Sequence, residues 1–246
     1  MSKIEIAKII SNNEIASGIF KMRLSFPVEY PQPEPGQFVN VYLNDKSCLL
    51  PRPISVCDWE DGVLTLVYAV VGDGTKMISG YASGERIRIS TPLGNGFSME
   101  GLERCVLVGG GVGVPPLLYL AKKLTASVRV VLGFRSEPFL ADEFPCEVEI
   151  ATEDGSAGMK GNVIDLMENI NTSGCVQILA CGPKPMLKAL ADFAAGRGLS
   201  LQVSMEERMG CGYGACVGCV CKTMNGNRKV CEDGPVFDGS EVNWDE

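Results

Sequence analysis

Val106-Leu107-Val108-Gly109-Gly110-Gly111-Val112-Gly113-Val114-Pro115-Pro116 is an apolar run that breaks into glycines and restarts with helical spacing as far as Leu124. A short apolar run closed by glycine reads as a buried strand, and proline suits a first helical turn. Such a turn lets the backbone approach a diphosphate; a tight strand-to-helix connection without a ligand is the plainer alternative. Further apolar strands follow at 128–132, 148–151 and 176–180, with helical spacing at 163–167 and 186–195. Strands alternating with helices predict a parallel sheet covered on both faces.

The pattern differs upstream. Short alternating runs recur at 3–6, 20–24, 38–42, 63–68 and 86–89, with Gly and Pro between them, as at 31–36. Close spacing without long helical stretches predicts an antiparallel barrel or sandwich. Downstream of about Met205 the chain is rich in Gly and Cys and has little periodicity. Such a segment needs a staple. The expected architecture is α+β and multidomain: an antiparallel β-barrel over 1–100, an α/β parallel-sheet domain over 101–204, and a small C-terminal segment over 205–246.

Composition narrows the chemistry. The net charge is −8 with no polybasic run, so nucleic acid is an unfavoured partner. No apolar run of ~18 residues exists to span a membrane. The N-terminus alternates like a strand and lacks the features of a signal peptide; the expected location is cytoplasmic. There is no histidine, which excludes a Ser-His-Asp triad, a Cys-His pair, a His-ligated zinc site and a Rieske centre. Enzyme chemistry then has to come from cofactors.

The chain has 11 cysteines. A reducing compartment argues against a disulfide framework, and scattered ones such as Cys105 and Cys175 read as small core residues. Five lie close together, in Cys211-Gly212-Tyr213-Gly214-Ala215-Cys216-Val217-Gly218-Cys219-Val220-Cys221 and at Cys231. The spacing C-x4-C-x2-C…C is the plant-type [2Fe–2S] pattern. The predicted ligands are Cys211, Cys216, Cys219 and Cys231. Cys221 is left out because the set is complete without it. Gly212, Gly214 and Gly218 would let the backbone wrap closely, with amides directed at sulfur. A structural zinc site is the rival, but zinc favours paired C-x2-C knuckles and only one such pair is present.

Pro51-Arg52-Pro53-Ile54-Ser55-Val56 precedes the strand ending near Tyr68; Val71-Gly72-Asp73-Gly74-Thr75 and Thr91-Pro92-Leu93-Gly94-Asn95-Gly96-Phe97 follow. Separately these read as an edge strand and turns. In this order, ahead of a βα domain, they resemble the ferredoxin–NADP reductase superfamily over about residues 1–205. The resemblance implies that Arg52 binds the FAD diphosphate and that Ser55 approaches the flavin N5. It also implies that Pro53, Ile54, Val67, Tyr68 and Ala69 line the flavin, while Gly74 and Thr75 cradle the diphosphate. Ile54 replaces the usual aromatic, and Ala69 stands where relatives often carry a cation. In the second domain, Gly109, Gly110, Gly111 and Gly113 would bind NAD. Thr152-Glu153-Asp154-Gly155-Ser156 and Ala180-Cys181-Gly182-Pro183-Lys184-Pro185-Met186 resemble nicotinamide-domain motifs, making Cys181 the hydride-site candidate; a buried strand-end thiol is the alternative. Arg135 could clamp a 2′-phosphate, stack on adenine or face solvent, and NAD is favoured because the nearest resembling proteins use it.

The order of three modules, with 204–212, 229–237 and 108–116, is similar to the electron-transfer subunits of class 1B dihydroorotate dehydrogenase over the whole chain. That resemblance implies an FMN-containing catalytic partner, a heterotetramer of two subunits of each kind, and electrons moving from dihydroorotate through FMN, the [2Fe–2S] cluster and FAD to NAD⁺. An exposed apolar patch is expected around the cluster, facing the partner. Related subunits of sulfide dehydrogenase, sulfhydrogenase or transhydrogenase complexes keep the same fold with another partner. A zinc-stapled binding module on a degenerate reductase fold is the non-enzymatic alternative.

Overall fold

The computed structural model describes residues 3–44, 48–170, 174 and 177–245. Cys175 and Val176, read above as a core thiol and a strand start, lie outside the described residues. The first unit comprises β1 (Ile4–Ala16), β2 (Ile19–Ser25), β3 (Phe38–Tyr42), β4 (Arg52–Glu60), β5 (Val63–Ala69), a short helix α1 (Asp73–Ser79) and β6 (Arg86–Ser90). The strands close into an antiparallel barrel in the order β1-β2-β5-β4-β3-β6. Alternation explains the closure. Ile9, Met22, Leu24, Val39, Val41, Val56, Leu64, Leu66 and Ile89 all point inward and are buried, which removes the edges that an open sheet would expose.

The second unit contains β7 (Arg104–Gly110), a 3₁₀ turn at Gly111–Gly113, α2 (Val114–Lys123), β8 (Ser127–Phe134), β9 (Val148–Thr152), β10 (Met159–Lys160), α3 (Val163–Asn169), β11 (Gln177–Cys181), α4 (Lys184–Arg197) and β12 (Ser200–Ser204). The sheet order is β10-β9-β8-β7-β11-β12, all parallel. The near-continuous apolar strands fit a sheet buried on both faces. α2 packs against the barrel. Tyr119 is fully buried and its hydroxyl donates to Pro33 O at 2.9 Å. Lys122 Nζ reaches Asp58 Oδ2 at 2.5 Å, and Lys21 Nζ of β2 reaches Glu143 at 2.5 Å.

The C-terminal segment is more integrated than its sequence suggests. After an irregular stretch come a hairpin of β13 (Val220–Thr223) and β14 (Gly226–Lys229), one turn of helix α5 (Val230–Asp233), and β15 (Val236–Asp238). β15 joins the large sheet antiparallel to β12, with Gln202↔Asp238, Val203↔Phe237 and Ser204↔Val236. Cys219, Cys221, Val230, Cys231, Phe237 and Val242 share one buried core with Val106, Ile178, Leu201 and Val203. The segment has too few apolar residues for its own core, so it borrows the flank of the sheet. Among the described residues no helix is long and apolar enough to cross a membrane.

Candidate redox site

From Ser204 the chain leaves β12 and runs through 205–219 without helix or strand. Gly212 and Gly214 have φ of +76° and +83°, a region that residues with a Cβ rarely enter. A Cβ would also crowd the neighbouring side chains. At Gly212 it would stand 2.5 Å from Asn40 Nδ2, and at Gly214 it would run into the Glu232 carboxylate. This backbone directs amides at sulfur. Cys216 N–H donates to Cys211 Sγ at 3.4 Å, and Gly214 N–H donates to Cys231 Sγ at 3.2 Å. Partial burial opposes ionisation of Cys211, but the amides of Tyr213, Cys216 and Ala215 and the Cys216 side chain outweigh it and bring the thiol down to about 7.

The hairpin explains how distant cysteines converge. Val220 pairs with Lys229, and Val230 N–H donates to Cys219 O at 2.9 Å. Cys219 Sγ and Cys231 Sγ then lie 3.2 Å apart. Burial, followed by contact with Cys219, pushes the Cys231 thiol up to about 12. Lys229 Nζ holds the loop from the other side by donating to Gly214 O at 2.7 Å. The thiols of Cys211 and Cys216, and of Cys219 and Cys231, thus form two contacting pairs in one region. Among the described residues no group of three or more His, Cys, Asp or Glu makes the compact set that one metal ion needs. A two-iron cluster spreads four thiolates over a larger volume. Four soft donors, converging amides and a glycine-lined loop fit such a cluster. Cys221 lies in the adjoining apolar core, where burial pushes its thiol up. Tyr213 and Val217 are exposed on this loop.

The loop rests on the barrel. Asn40 of β3 is fully buried; its Nδ2 donates to Cys211 O at 2.9 Å and its Oδ1 has no partner among the described residues. An orphaned buried acceptor costs about 1–3 kcal/mol. Asn95 makes a second tie. Its N–H donates to Gly234 O at 2.6 Å, its Nδ2 to Val236 O at 2.9 Å, and its Oδ1 accepts from Val236 N–H at 2.9 Å. Asn40 does not stand out in the sequence, and Asn95 appears there only as one position of the 91–97 turn. Asn40 occupies an outward position in a β-strand, ordinarily a solvated one, and only the distant loop buries it.

β4 carries the flavin motif beside Asn40. The register pairs Phe38↔Ser55, Val39↔Ile54, Asn40↔Pro53 and Val41↔Arg52. Directly opposed residues share a face, so Pro53 and Ser55 look out with Asn40 and Phe38, while Ile54 is buried in the barrel. Arg52 Nη1 donates to Leu50 O at 2.7 Å. Its guanidinium fills the space a Cβ on Gly74 would need, so the cation lies directly against the α1 entry. Thr75 Oγ1 accepts from Val71 and Gly72 N–H at 2.9 and 3.2 Å and shapes that turn. Val67 and Tyr68 are buried, and Ala69 pairs with Ile19. Tyr68 donates its hydroxyl to Asn12 Oδ1 at 2.9 Å, and Asn12 Nδ2 donates to Ile78 O and Tyr81 O. That chain fixes α1 against β5. A cation against a Cβ-free turn, flanked by exposed Leu49, Leu50 and Val71, fits a flat aromatic cofactor with a diphosphate.

In the sheet, Gly109 pairs with Cys181 and Gly110 with Gly133. Gly111 has φ +52°. A Cβ on Gly113 would enter the Cys181 carbonyl, and one on Gly110 would stand 2.5 Å from Met186 Sδ. The turn is therefore packed tightly against the β11 end. The α2 start offers few free donors: Val114 N–H bonds Gly111 O, and Pro115 and Pro116 have none. A diphosphate placed here would have only the glycine amides to bind it. Cys181 is 1% exposed, and burial, with Glu206 nearby, pushes its thiol up against a hydrogen bond with Ser204. Arg135 is exposed in the loop after β8.

Residues 206–243 match the family model described as the iron-sulfur cluster binding domain of dihydroorotate dehydrogenase B. The chain is 43% identical to the dihydroorotate dehydrogenase B (NAD(+)) electron transfer subunit of Caldanaerobacter subterraneus subsp. tengcongensis, over 96% of this chain and 97% of that protein. It is 37% identical to the Clostridium acetobutylicum subunit of the same name, over 98% and 97%. Among solved structures, the NADH-dependent reduced ferredoxin-NADP oxidoreductase superposes with a TM-score of 0.88 at 32% identity, over 97% of this chain and 90% of that one. Phthalate dioxygenase reductase, at 22% identity and a TM-score of 0.65, shares the fold.

Proposed function

The chain belongs to the family of dihydroorotate dehydrogenase B electron transfer subunits, and from that premise we propose how its residues divide the work. It is a flavin- and iron–sulfur-dependent oxidoreductase subunit that passes electrons to NAD⁺ on behalf of a separate catalytic subunit. Cys211, Cys216, Cys219 and Cys231 hold a [2Fe–2S] cluster. Arg52 neutralises the FAD diphosphate, with the Gly74 amide beside it. Ser55 donates toward the flavin edge from the outer barrel face, where Pro53 lies alongside. Val67, Tyr68 and Ala69 offer backbone from β5, and Ile54 supports the site from inside. Gly109, Gly110, Gly111 and Gly113 receive NAD, and Cys181 closes the floor of the nicotinamide site. When bound, the flavin exchanges a hydride with nicotinamide and single electrons with the cluster. The catalytic subunit carries FMN, the complex contains two subunits of each kind, and it works in the cytoplasm.

The observation that carries this reading is the docking of the thiol loop, through Cys211, on Asn40 of β3, the direct cross-strand partner of Pro53 in the strand that bears Arg52 and Ser55. A single purification tests it. The native chain should bring down an FMN protein that oxidises dihydroorotate, and should contain FAD, iron and acid-labile sulfide. Zinc without flavin or sulfide would sink the reading. A second reading keeps this wiring but changes the partner, and the likeness to a ferredoxin-NADP oxidoreductase favours it. Recovery of a partner that does not oxidise dihydroorotate would select it.

A further inference from the structure

We propose that Asn40 is the positioning residue for electron exchange between flavin and cluster, and that Cys211 is the ligand through which electrons cross to the flavin strand. This rests on the ligand and flavin assignments above and goes beyond them, because neither says which thiolate faces the flavin or what sets the gap.

Three observations carry the inference. Asn40 and Pro53 are direct partners across β3 and β4, so Asn40 shares the outer face with Pro53 and Ser55. Its Nδ2 donates to the carbonyl of Cys211 at 2.9 Å, a contact between residues 171 positions apart. From that carbonyl, three covalent bonds lead through Cα and Cβ to the Cys211 sulfur. The third observation is geometric. Gly212 leaves no room for a Cβ beside the Asn40 amide, and Ser90 Oγ accepts the Asn40 backbone N–H at 2.8 Å. Asn40 is thus held through its backbone by Ser90 and through its side-chain amide by the loop.

Among the described residues Oδ1 has no partner, so the donor Nδ2 is the polar atom that ties this side chain to the loop. Leucine has nearly the same outline and no polar atom to leave unpaired. An asparagine kept for packing alone is therefore a poor choice at this position. An asparagine kept for its single donor is not. Each transfer moves one electron from the cluster to the flavin. Two transfers and one proton from solvent supply the hydride given to NAD⁺. Asn40 takes no proton or electron; it sets the distance.

The test uses the full chain with both cofactors, in native form and as Asn40→Leu and Asn40→Asp. The latter replaces the donor with an acceptor facing a carbonyl. The expected result is unchanged FAD content, iron and labile sulfide, and unchanged NADH–ferricyanide turnover. The rate of cluster reduction by NADH, followed by stopped-flow absorbance and freeze-quench EPR, should fall at least tenfold in both variants. A rate within twofold of native overturns the proposal. So does failure of both variants to assemble a cluster, because Asn40 would then be a folding residue. A native chain without flavin or cluster would instead refute the assignments beneath it.

Discussion

The barrel and the cysteine loop satisfy their backbone polar groups in different ways. In the barrel, every strand finds two neighbours and the ladder closes on itself. Residues 205–219 have no ladder, and several of their amides point at sulfur. The barrel should therefore stand without its cofactor. The loop should hold its shape only with one, because amides directed at a thiolate are stabilised by charge that a neutral thiol lacks.

Cys216→Ser puts the largest strain on that contrast. It should abolish the cluster and electron flow to the catalytic subunit, while NADH–ferricyanide turnover, which uses only the barrel and the large sheet, survives. Loss of that turnover in a folded variant would show that the two regions depend on each other. Gly74→Val tests the barrel side. Its side chain would displace the Arg52 guanidinium, so FAD affinity should fall by about tenfold or more, equivalent to about 1.4 kcal/mol, with the cluster retained. Flavin titration of the apoprotein measures this, and unchanged affinity would remove Arg52 from the diphosphate.

The seam between the regions should respond less. Asn95→Ala removes both side-chain hydrogen bonds to Val236, worth about 1 kcal/mol each, and leaves the main-chain bond to Gly234 in place. The variant should lose its cluster faster on dilution and unfold at lower denaturant, with FAD binding unaffected. Equal loss of FAD would mean that the tie serves the barrel too. The smallest effect belongs to Lys122→Met. The partly exposed pair with Asp58 is worth about 0.2–1 kcal/mol, and the difference from native should shrink in high salt. A larger effect that persists in salt would point to packing by the lysine stem instead.

Much of this was legible because it is local. The apolar runs around 106–108, 128–132 and 148–151 named the parallel sheet, and the C-x4-C-x2-C spacing named the thiol set. The missing parts are long-range. Gly72-Asp73-Gly74-Thr75 reads as a turn with a helix start, and only Asn12 and Arg52 show what α1 is held against. β15 is too short to announce itself, and it forms because β12 offers an edge. Asn225-Gly226 is a hairpin signal, but the strands beside it are only four residues each and carry no clear alternation. Asn40 had no signal at all, since its burial comes from residues 171 positions away.

The pairing of Ser204 with Val236 has a consequence for how such a chain could be rearranged. Everything between these two residues leaves the sheet and returns to the point of departure. The cysteine-bearing stretch is thus an insertion between two strands that a short turn could join directly. The same junction marks where the stretch could be cut out of this protein, whereas a graft elsewhere would need the flank of β12 and the Asn40 and Asn95 contacts as well.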